Sequence, residues 1–351
     1  MIQPTSLDAS VPFDEATTVL WIGGILFDGV EWFLDHIFGA GMDVLAELLS
    51  TPMLGYPYMQ RAYLAAVCIA IIGPVVGTFL VHREMAMIGD TLAHTAFAGV
   101  AVGLFLNSAL SVTLSPLLTA FVVAVVTALL VELLVERAGA YSDTSLAIVL
   151  TGGFAVGSIL ITATDGGIAV GIDAYLFGSL ATVSTENVAI LVVMSFVVGS
   201  LVTLAYRPLL YVTFDATAAR AARLNVRLYK RLMVVLTALV VVSAMQIMGV
   251  ILVAAMLVVP VAAAAQVARS FKQSVLLAVL AAESAAIAGV TLSYVYGLAA
   301  GGSIVVAAVA VYAVALGFQG LAHRLQTVRR LRSRRPGRTR GGLEADGGER
   351  E

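Results

Sequence analysis

Charged residues and cysteine are scarce in this sequence, and both shortages narrow the class of protein. Only 12% of the 351 residues are charged, whereas a typical soluble domain has about 25%. Hydrophobic residues make up 60%, and the mean hydropathy is +0.99. Water is therefore not the main solvent around the chain. The single cysteine, Cys68, lies in an apolar run and cannot form a disulfide or a thiolate metal site alone, so we interpret it as a core residue.

Lysine is almost absent, and its positions exclude a nucleotide-binding loop of the Walker type. Neither Lys230 nor Lys272 follows a glycine, so the chain lacks the G-x-x-x-x-G-K-[ST] sequence that binds nucleotide phosphates. If ATP drives a process in which this chain takes part, another subunit must hydrolyse it.

Long apolar runs dominate the rest of the chain. Runs of about 20 residues are long enough to cross the hydrocarbon of a bilayer, and helices satisfy their own backbone hydrogen bonds there. The predicted fold class is therefore all-α, a polytopic bundle of transmembrane helices. We place nine spans near residues 60–82, 88–107, 115–137, 144–163, 187–206, 232–247, 250–268, 274–297 and 302–323.

The basic residues predict the orientation of this bundle. Positively charged loops stay in the cytoplasm, and on a nine-span path all ten Lys and Arg residues between Arg83 and Lys272 fall on one side. The opposite loops carry acids such as Asp165 and Asp173. We therefore expect a multi-pass protein of the cell membrane with residues 1–59 outside and the carboxyl terminus in the cytoplasm.

Two terminal segments flank the membrane domain, which we assign to residues 58–323. Residues 1–57 form an acidic extension whose apolar stretch 18–38 carries three acids on one helical face, so we expect an interfacial helix rather than a span. If it did span, only the extreme amino terminus would change side. Residues 324–351 form an Arg-rich tail. We expect this tail to be cytoplasmic and disordered. A basic tail of this kind can bind anionic lipid or nucleic acid, but we interpret it as a cytoplasmic topology anchor and expect the lipid membrane, and no nucleic acid, as a partner of the chain.

Asp90 and His94 form the polar pair with the clearest chemistry. They lie in IGDTLAHTAFAGVAVG, residues 88–103, and a spacing of four places them on one helical face. Ionisable residues within a membrane are functional candidates by default, and a carboxylate with an imidazole suits zinc, manganese or iron(II). A symmetric homodimer would bring four such ligands together. The spacing leaves open an alternative in which Asp90 caps the helix and His94 packs in the core.

Other residues support weaker hypotheses. Glu283, near the middle of the eighth span, would line an ion path or form a hydrogen bond between helices. Gly89, Gly99 and Gly103 permit close helix approach. The loop 207–231 contains a short basic helix within Asp215 to Asn225, which needs either a protein partner or the membrane surface.

The sequence resembles the zinc/manganese ABC transporter permease family, whose members are relatives of the cobalamin and siderophore permeases. IGDTLAHTAFAGVAVG is similar to the G-D-x-x-x-H-x-x-x-x-G signature that follows the first span in this family. The similarity extends from about Tyr58 to His323. It includes, in the same order, YMQRAYLAA, DTSLAIVLTGGFAVGSIL, YLFGSL, MGVILVAAMLVVPVAAAAQVAR and GGSIVV.

The resemblance implies a cobalamin-permease-like fold and a homodimeric permease subunit of an ATP-driven importer for zinc or manganese. The implied partners are two cytoplasmic ATPase subunits, which use the ATP, and an external metal-binding protein. No permanently bound cofactor and no enzymatic activity are expected, because the metal is transported. Asp90 and His94 would lie on the ion pathway. The helix that docks into the ATPase would contain Asp215, Ala219, Arg220, Arg223 and Asn225.

Three other functions compete with this interpretation. A permease for a metal chelate or vitamin would need a wide pathway without convergent Asp and His. An ion-driven secondary transporter would show internal inverted repeats, which we do not find. An intramembrane hydrolase would need a second catalytic group at the depth of Asp90 or His94, and Glu283 is its one candidate. The sequence does not choose between zinc, manganese and iron.

Overall fold

Helices are the regular secondary structure of this chain in the computed structural model, which describes residue 24 and residues 27–110, 114–138, 142–163, 172–178 and 183–333. Within these residues, eight helices are long and apolar enough to cross a membrane, and a further apolar helix is shorter. The predicted all-α bundle of transmembrane helices is therefore confirmed.

The helices are numbered in chain order. A π-helical turn (Leu34–Phe38) precedes α1 (Gly39–Leu48), and a 3-10 turn (Pro52–Gly55) precedes α2. The remaining helices are α2 (Pro57–His82), α3 (Ile88–Leu110), α4 (Pro116–Ala138), α5 (Ser142–Thr162), α6 (Ile172–Phe177), α7 (Thr185–Leu204), α8 (Tyr206–Phe214), α9 (Ala216–Ala221), α10 (Val226–Met248), α11 (Val250–Ala265), α12 (Phe271–Tyr296) and α13 (Ala300–Ser333).

Side-chain contacts identify which helix ends lie together. At one end of the bundle, the ring of His82, the last residue of α2, contacts that of Phe271, the first residue of α12. Near the start of α3, the Thr91 hydroxyl donates a hydrogen bond of 3.3 Å to the Leu146 carbonyl of α5. The ten basic residues between 83 and 272 lie toward this end, which we call the basic end.

The opposite end is joined by a second set of contacts. Arg61 Nη1 donates a hydrogen bond of 3.2 Å to Thr185 Oγ1, which links the starts of α2 and α7. The hydroxyls of Tyr63 and Thr291 share a hydrogen bond of 2.8 Å, which links α2 to the end of α12. Arg61 is therefore a basic residue at the opposite end. It lies within the first predicted span, 60–82, whereas the loops predicted at this end contain no Lys or Arg.

The shorter apolar helix, in addition to the eight long ones, is α11. It corresponds to the span predicted at residues 250–268. It packs against α2, α3, α10, α12 and α13, so much of its surface meets protein rather than lipid. Its 16 residues span about 24 Å at 1.5 Å per residue, less than the ~30 Å of hydrocarbon. Burial within the bundle explains how a short helix can occupy this place.

Two helices extend further at the basic end than predicted. α10 begins at Val226 rather than 232, and α13 continues to Ser333 rather than 323. Arginine and lysine are good helix formers, so these helices continue past the apolar run. Residues 324–333, predicted to begin the tail, are therefore helical. Residues 334–351 lie outside the described part, and the prediction for them stays a prediction.

The amino-terminal segment also differs from its predicted bounds. The predicted interfacial helix covered 18–38, whereas the described helical residues continue through the π-helical turn into α1. Residues 1–23, 25 and 26 lie outside the described part. Gln60 Nε2 donates a hydrogen bond of 2.8 Å to Asp43 Oδ1, which fastens α1 to α2. The interfacial location stays a prediction.

The connection between α10 and α11 is a single residue, Gly249. Its φ of 83° and ψ of 157° lie in a region that is essentially restricted to glycine. A Cβ here would lie 2.5 Å from Gly178 N and 2.6 Å from Leu176 O. The backbone of the α6 segment therefore packs directly against this reversal of the chain.

We predict that Gly249→Ala lowers stability by about 1–3 kcal/mol, because alanine is strained at this φ and ψ and its methyl group meets backbone atoms. Thermal unfolding of the purified protein in detergent measures the effect. The control is Gly199→Ala in α7, where an added Cβ has no atom within 4 Å. Equal unfolding midpoints for the two variants would contradict the tight connection.

Candidate functional site

Helix α3 is held by close backbone contacts with its neighbours. A Cβ at Gly99 would lie 2.6 Å from Ala120 Cα of α4, and one at Gly103 would overlap Thr119 of the same helix. A Cβ at Gly89 would lie 2.8 Å from Leu257 Cδ1 of α11. The three glycines named from the sequence therefore lie where α4 and α11 approach α3.

A second pair of glycines, on α5, closes another side of α3. A Cβ at Gly153 would lie 2.5 Å from Thr95 Cγ2, and one at Gly157 would lie 3.1 Å from Ala98 Cα. No role for this pair was predicted from the sequence. Its G-x-x-x-G spacing is a signal for close helix packing in membranes and would have identified it.

Asp90 and His94 lie on the side of α3 that these contacts leave open. All residues of α3 from Ile88 to Ala101 are buried except Asp90 and His94. The Asp90 side chain is 39% exposed, and the His94 side chain is 21% exposed. Asp90 Oδ1 and His94 Nε2 are 3.5 Å apart. The structure thus brings the predicted pair together, four residues apart on one helical face.

The position of Asp90 bears on the alternative in which it only caps the helix. α3 begins at Ile88, so Asp90 lies within the first turn rather than at the N-cap. A carboxylate there is favoured by the helix dipole. Its side chain nevertheless contacts the imidazole of His94, which a role in capping alone would not require.

Aromatic packing orients the His94 ring. Its centroid lies 5.3 Å from that of Phe154 of α5 in an edge-to-face arrangement, and Phe154 stacks on Phe97 of α3 at 5.9 Å. His94 Nδ1 is buried and has no hydrogen-bond partner in the described part of the chain. The ring therefore presents Nε2 to Asp90 and keeps Nδ1 on its apolar side.

The two donor atoms have a separation that suits a shared cation. Tetrahedral ligands at 2.0–2.2 Å from a metal are about 3.4 Å apart, close to the 3.5 Å between Asp90 Oδ1 and His94 Nε2. Among the residues that the structure describes, no group of three or more His, Cys, Asp and Glu is arranged to hold a metal ion. These residues of one chain therefore offer two donors.

Near the pair, the turn between α2 and α3 carries a partly buried cation. Burial lowers the pKa of the Arg83 guanidinium, and the Glu132 carboxylate of α4 opposes that shift. Glu132 is itself only 8% exposed. A positive and a negative charge thus lie at the basic end, close to the start of α3.

Glu283 belongs to a different polar group. It lies on α12, which packs against α2, α11 and α13, and it is an electrostatic neighbour of the Cys68 thiol of α2. Ser195 of α7 is the hydrogen-bonding neighbour of that thiol. The described contacts do not join Glu283 to Asp90 and His94, and its role on the pathway stays a prediction.

The predicted basic helix is α9. Asp215 Oδ1 accepts hydrogen bonds from the backbone N–H groups of Thr217 and Ala218 at 2.9 and 2.8 Å, so it caps α9. Ala219 is fully buried in a small core with Val212 and Val226. Arg220 and Arg223 are exposed, and Asn225 caps α10 by accepting from Leu228 N at 3.2 Å. Helix α8, directly before α9, was not predicted.

Comparisons with known proteins agree with this architecture. Residues 55–319 match the ABC 3 transport family. The chain is 32% identical over 268 residues to the manganese transport system membrane protein MntC of Halalkalibacterium halodurans, covering 76% of this chain and 89% of the relative. It is 28% identical over 265 residues to a Haemophilus influenzae protein named as a probable iron transport system membrane protein, covering 76% and 95%. The solved structure of PsaBC from Streptococcus pneumoniae in complex with Fab aligns with a TM-score of 0.68 at 28% identity, covering 77% of this chain and 95% of that chain.

We predict that Gly153→Ala destabilises the contact between α3 and α5 by about 1–3 kcal/mol, because the added methyl group meets Thr95. The adjacent substitution Gly152→Ala is a matched control, since a Cβ there has no atom within 4 Å. Thermal unfolding in detergent compares the two variants. A larger loss of stability in Gly152→Ala would show that the packing of α5 on α3 is incorrect.

Proposed function

Because the chain belongs to the ABC 3 transport family, we propose that it is the membrane-spanning permease subunit of an ATP-driven importer for a divalent transition metal, manganese or zinc. The observation that supports this cargo is the pairing of Asp90 and His94 at 3.5 Å on the open face of α3. Family membership agrees with the resemblance seen in the sequence. As a permease, this subunit makes and breaks no covalent bond and is not an enzyme.

The choice of metal follows from the donor atoms. Carboxylate oxygen with imidazole nitrogen suits manganese, zinc and iron(II), whereas thiolate sites select softer ions. The relatives are named for manganese and iron transport, and the family that the sequence resembles is a zinc/manganese family, although the signature itself does not choose the metal. We therefore propose that the site accepts manganese or zinc as transported substrate, with no resident cofactor.

Two copies of the chain would complete the site. A pathway metal needs more than the two donors of Asp90 and His94, and these side chains lie on the face of α3 that its own neighbours leave uncovered. A second copy facing this surface about a two-fold axis supplies another carboxylate and another imidazole. The resulting four ligands match a tetrahedral metal site. We therefore propose that the permease is a homodimer.

The basic end is the cytoplasmic end in this proposal. Lys and Arg accumulate on the cytoplasmic side of membrane proteins, and among the Lys and Arg residues from 61 to 272 only Arg61 lies at the opposite end. The carboxyl terminus of α13 then lies in the cytoplasm. The amino-terminal helices lie outside, where an external metal-binding protein delivers the ion.

Helix α9 is the proposed docking site for the ATPase subunit. The chain lacks a Walker-type phosphate loop, so the ATPase is a separate subunit. α9 lies at the basic end, its Arg220 is exposed, and beside it is an open groove lined by Arg207, Leu210, Tyr211, Phe214, Asp215 and Ala218. ATP binding by the docked subunits would then alternate access to the metal site.

We predict that Asp90→Asn and His94→Ala each lower ATP-dependent uptake of Mn²⁺ or Zn²⁺ by more than roughly tenfold, because the first removes the negative charge of one ligand and the second removes the other ligand. Uptake of the labelled ions into proteoliposomes that contain the complete transporter measures the effect. His36→Ala is the control, because His36 is exposed on the amino-terminal segment. Uptake at the wild-type rate in both site variants would exclude this site.

We predict that Arg220→Glu reduces co-purification of the ATPase subunit several-fold, since it reverses an exposed charge on α9. Lys272→Glu reverses another exposed charge at the basic end, outside α8 and α9, and is the matched control. The yield of ATPase recovered per permease is the measurement. If Lys272→Glu loses the ATPase and Arg220→Glu retains it, docking occurs elsewhere.

A further inference from the structure

Five aromatic rings meet at the basic end, where α2, α8 and α12 converge. We call them the ring cluster: Phe79 and His82 of α2, Tyr206 and Phe214 of α8, and Phe271 of α12. Phe271 contacts all four of the others, with centroid distances of 4.9 Å to Phe79, 5.3 Å to His82, 5.7 Å to Phe214 and 6.2 Å to Tyr206. Three helices are therefore joined through one ring.

One side of the ring cluster reaches the proposed docking helix. Phe214 is 60% exposed, lines the open groove beside α9 and directly precedes Asp215, which caps α9. The same ring lies 5.7 Å from that of His82. A displacement of α9 therefore moves a side chain that is in contact with α2 and α12.

The other side of the ring cluster reaches the start of α3. His82 is the last residue of α2, and a hydrogen-bonded turn of residues 83–87 leads to Ile88. In this turn Met85 N donates to Leu80 O at 3.0 Å, and Ile88 N donates to Met85 O at 3.1 Å. Such a turn has little freedom to absorb a displacement of α2.

Helix α11 further ties the end of α2 to the start of α3. A Cβ at Gly77 of α2 would collide with the Leu257 backbone, and one at Gly89 of α3 would lie 2.8 Å from Leu257 Cδ1. Leu257 is thus in contact with both helices, so the end of α2 and the first turn of α3 are expected to move as one body. Asp90 lies in that first turn.

We propose that Phe271 is a positioning residue that transmits the displacement of α9, through the ring cluster and the end of α2, to Asp90 and His94. The proposal rests on the proposed function, because it assumes that an ATPase moves α9. Contiguous packed side chains between rigid helices carry coupling of this kind. Aromatic pairs also have preferred angles, so rings transmit a rotation that flexible aliphatic chains would absorb.

The first test measures movement at the site and does not depend on which ion is carried. In a Cys68→Ala background, His94→Cys reports the exposure of the site through its reaction rate with a water-soluble methanethiosulfonate reagent. We expect that rate to differ by about fivefold between the nucleotide-free complex and the complex trapped with ATP and vanadate. Phe271→Leu should abolish the difference, and a difference that persists in Phe271→Leu would overturn the proposal.

The matched control is Phe196→Leu on α7, whose side chain is 77% exposed and which has no ring contact among the described aromatic pairs. It should retain the nucleotide-dependent difference in rate, and loss of the difference in this variant as well would count against a specific role for Phe271. If the Phe271→Leu permease does not assemble with the ATPase, His82→Leu is tested in its place. This substitution removes only the two ring contacts that His82 of α2 makes, with Phe214 and Phe271. The same criterion then applies.

The second test uses the intact His94 site and compares Mn²⁺ uptake with ATP hydrolysis in the same vesicles. Phe271→Leu should lower the uptake per ATP hydrolysed by about tenfold while the ATPase remains bound. Phe214→Leu should do the same, and the double variant should be no worse than either single variant, because both interrupt one path. If the losses of uptake per ATP in the two single variants multiply in the double variant, the proposal is overturned. Wild-type uptake of Mn²⁺ or Zn²⁺ tests the proposed function separately.

Discussion

The constraint on which this structure depends is the cost of placing a carboxylate and an imidazole within a bundle of apolar helices. Ionisable side chains on a transmembrane helix are costly where they face lipid, so Asp90 and His94 require a polar or protein neighbour. The described fold covers the other sides of α3 and leaves open the face that carries Asp90 and His94, where the proposed second copy would shield the pair from lipid. Gly89, Gly99 and Gly103 bring α11 and α4 against it, and Gly153 brings α5. The remaining face carries the two polar side chains.

The same packing explains why the polar pair lies in a defined geometry. Phe97 and Phe154 fix one side of the His94 ring, and the first turn of α3 holds Asp90 at 3.5 Å from it. Close backbone contacts between helices leave little freedom for α3 to rotate. A ligand pair on a loop would have no comparable restraint. The rigidity of α3 therefore gives the two donors of one chain a fixed geometry, and in the proposed homodimer a symmetric partner would supply two more.

The sequence predicted the features that depend on local composition. The length of hydrocarbon restricts span length, so the eight long helices were found to within a few residues, except where α10 and α13 continue past the apolar runs into basic segments. The four-residue spacing placed Asp90 beside His94. Contacts between distant segments were not predictable: the ring of Phe154 against His94, the polar group of Glu283 with Cys68, and the bond of Arg61 to Thr185 all depend on how helices pack. Helix α8 was missed because its aromatic residues contact α2 and α12 rather than follow a simple pattern.

If two copies share the metal site as proposed, the division of the site has a mechanical consequence for release of the ion. The Asp90 and His94 of one chain keep their mutual geometry as long as α3 stays rigid, so neither pair has to change when the ion leaves. In the proposed homodimer, a small rotation of one copy against the other would separate the two pairs and reduce four ligands to two, which would weaken the site without moving any side chain within its own helix. Because the pair lies in the first two turns of α3, such a rotation acts most directly at the basic end. The ring cluster lies at that end, where a cytoplasmic ATPase would act on α9.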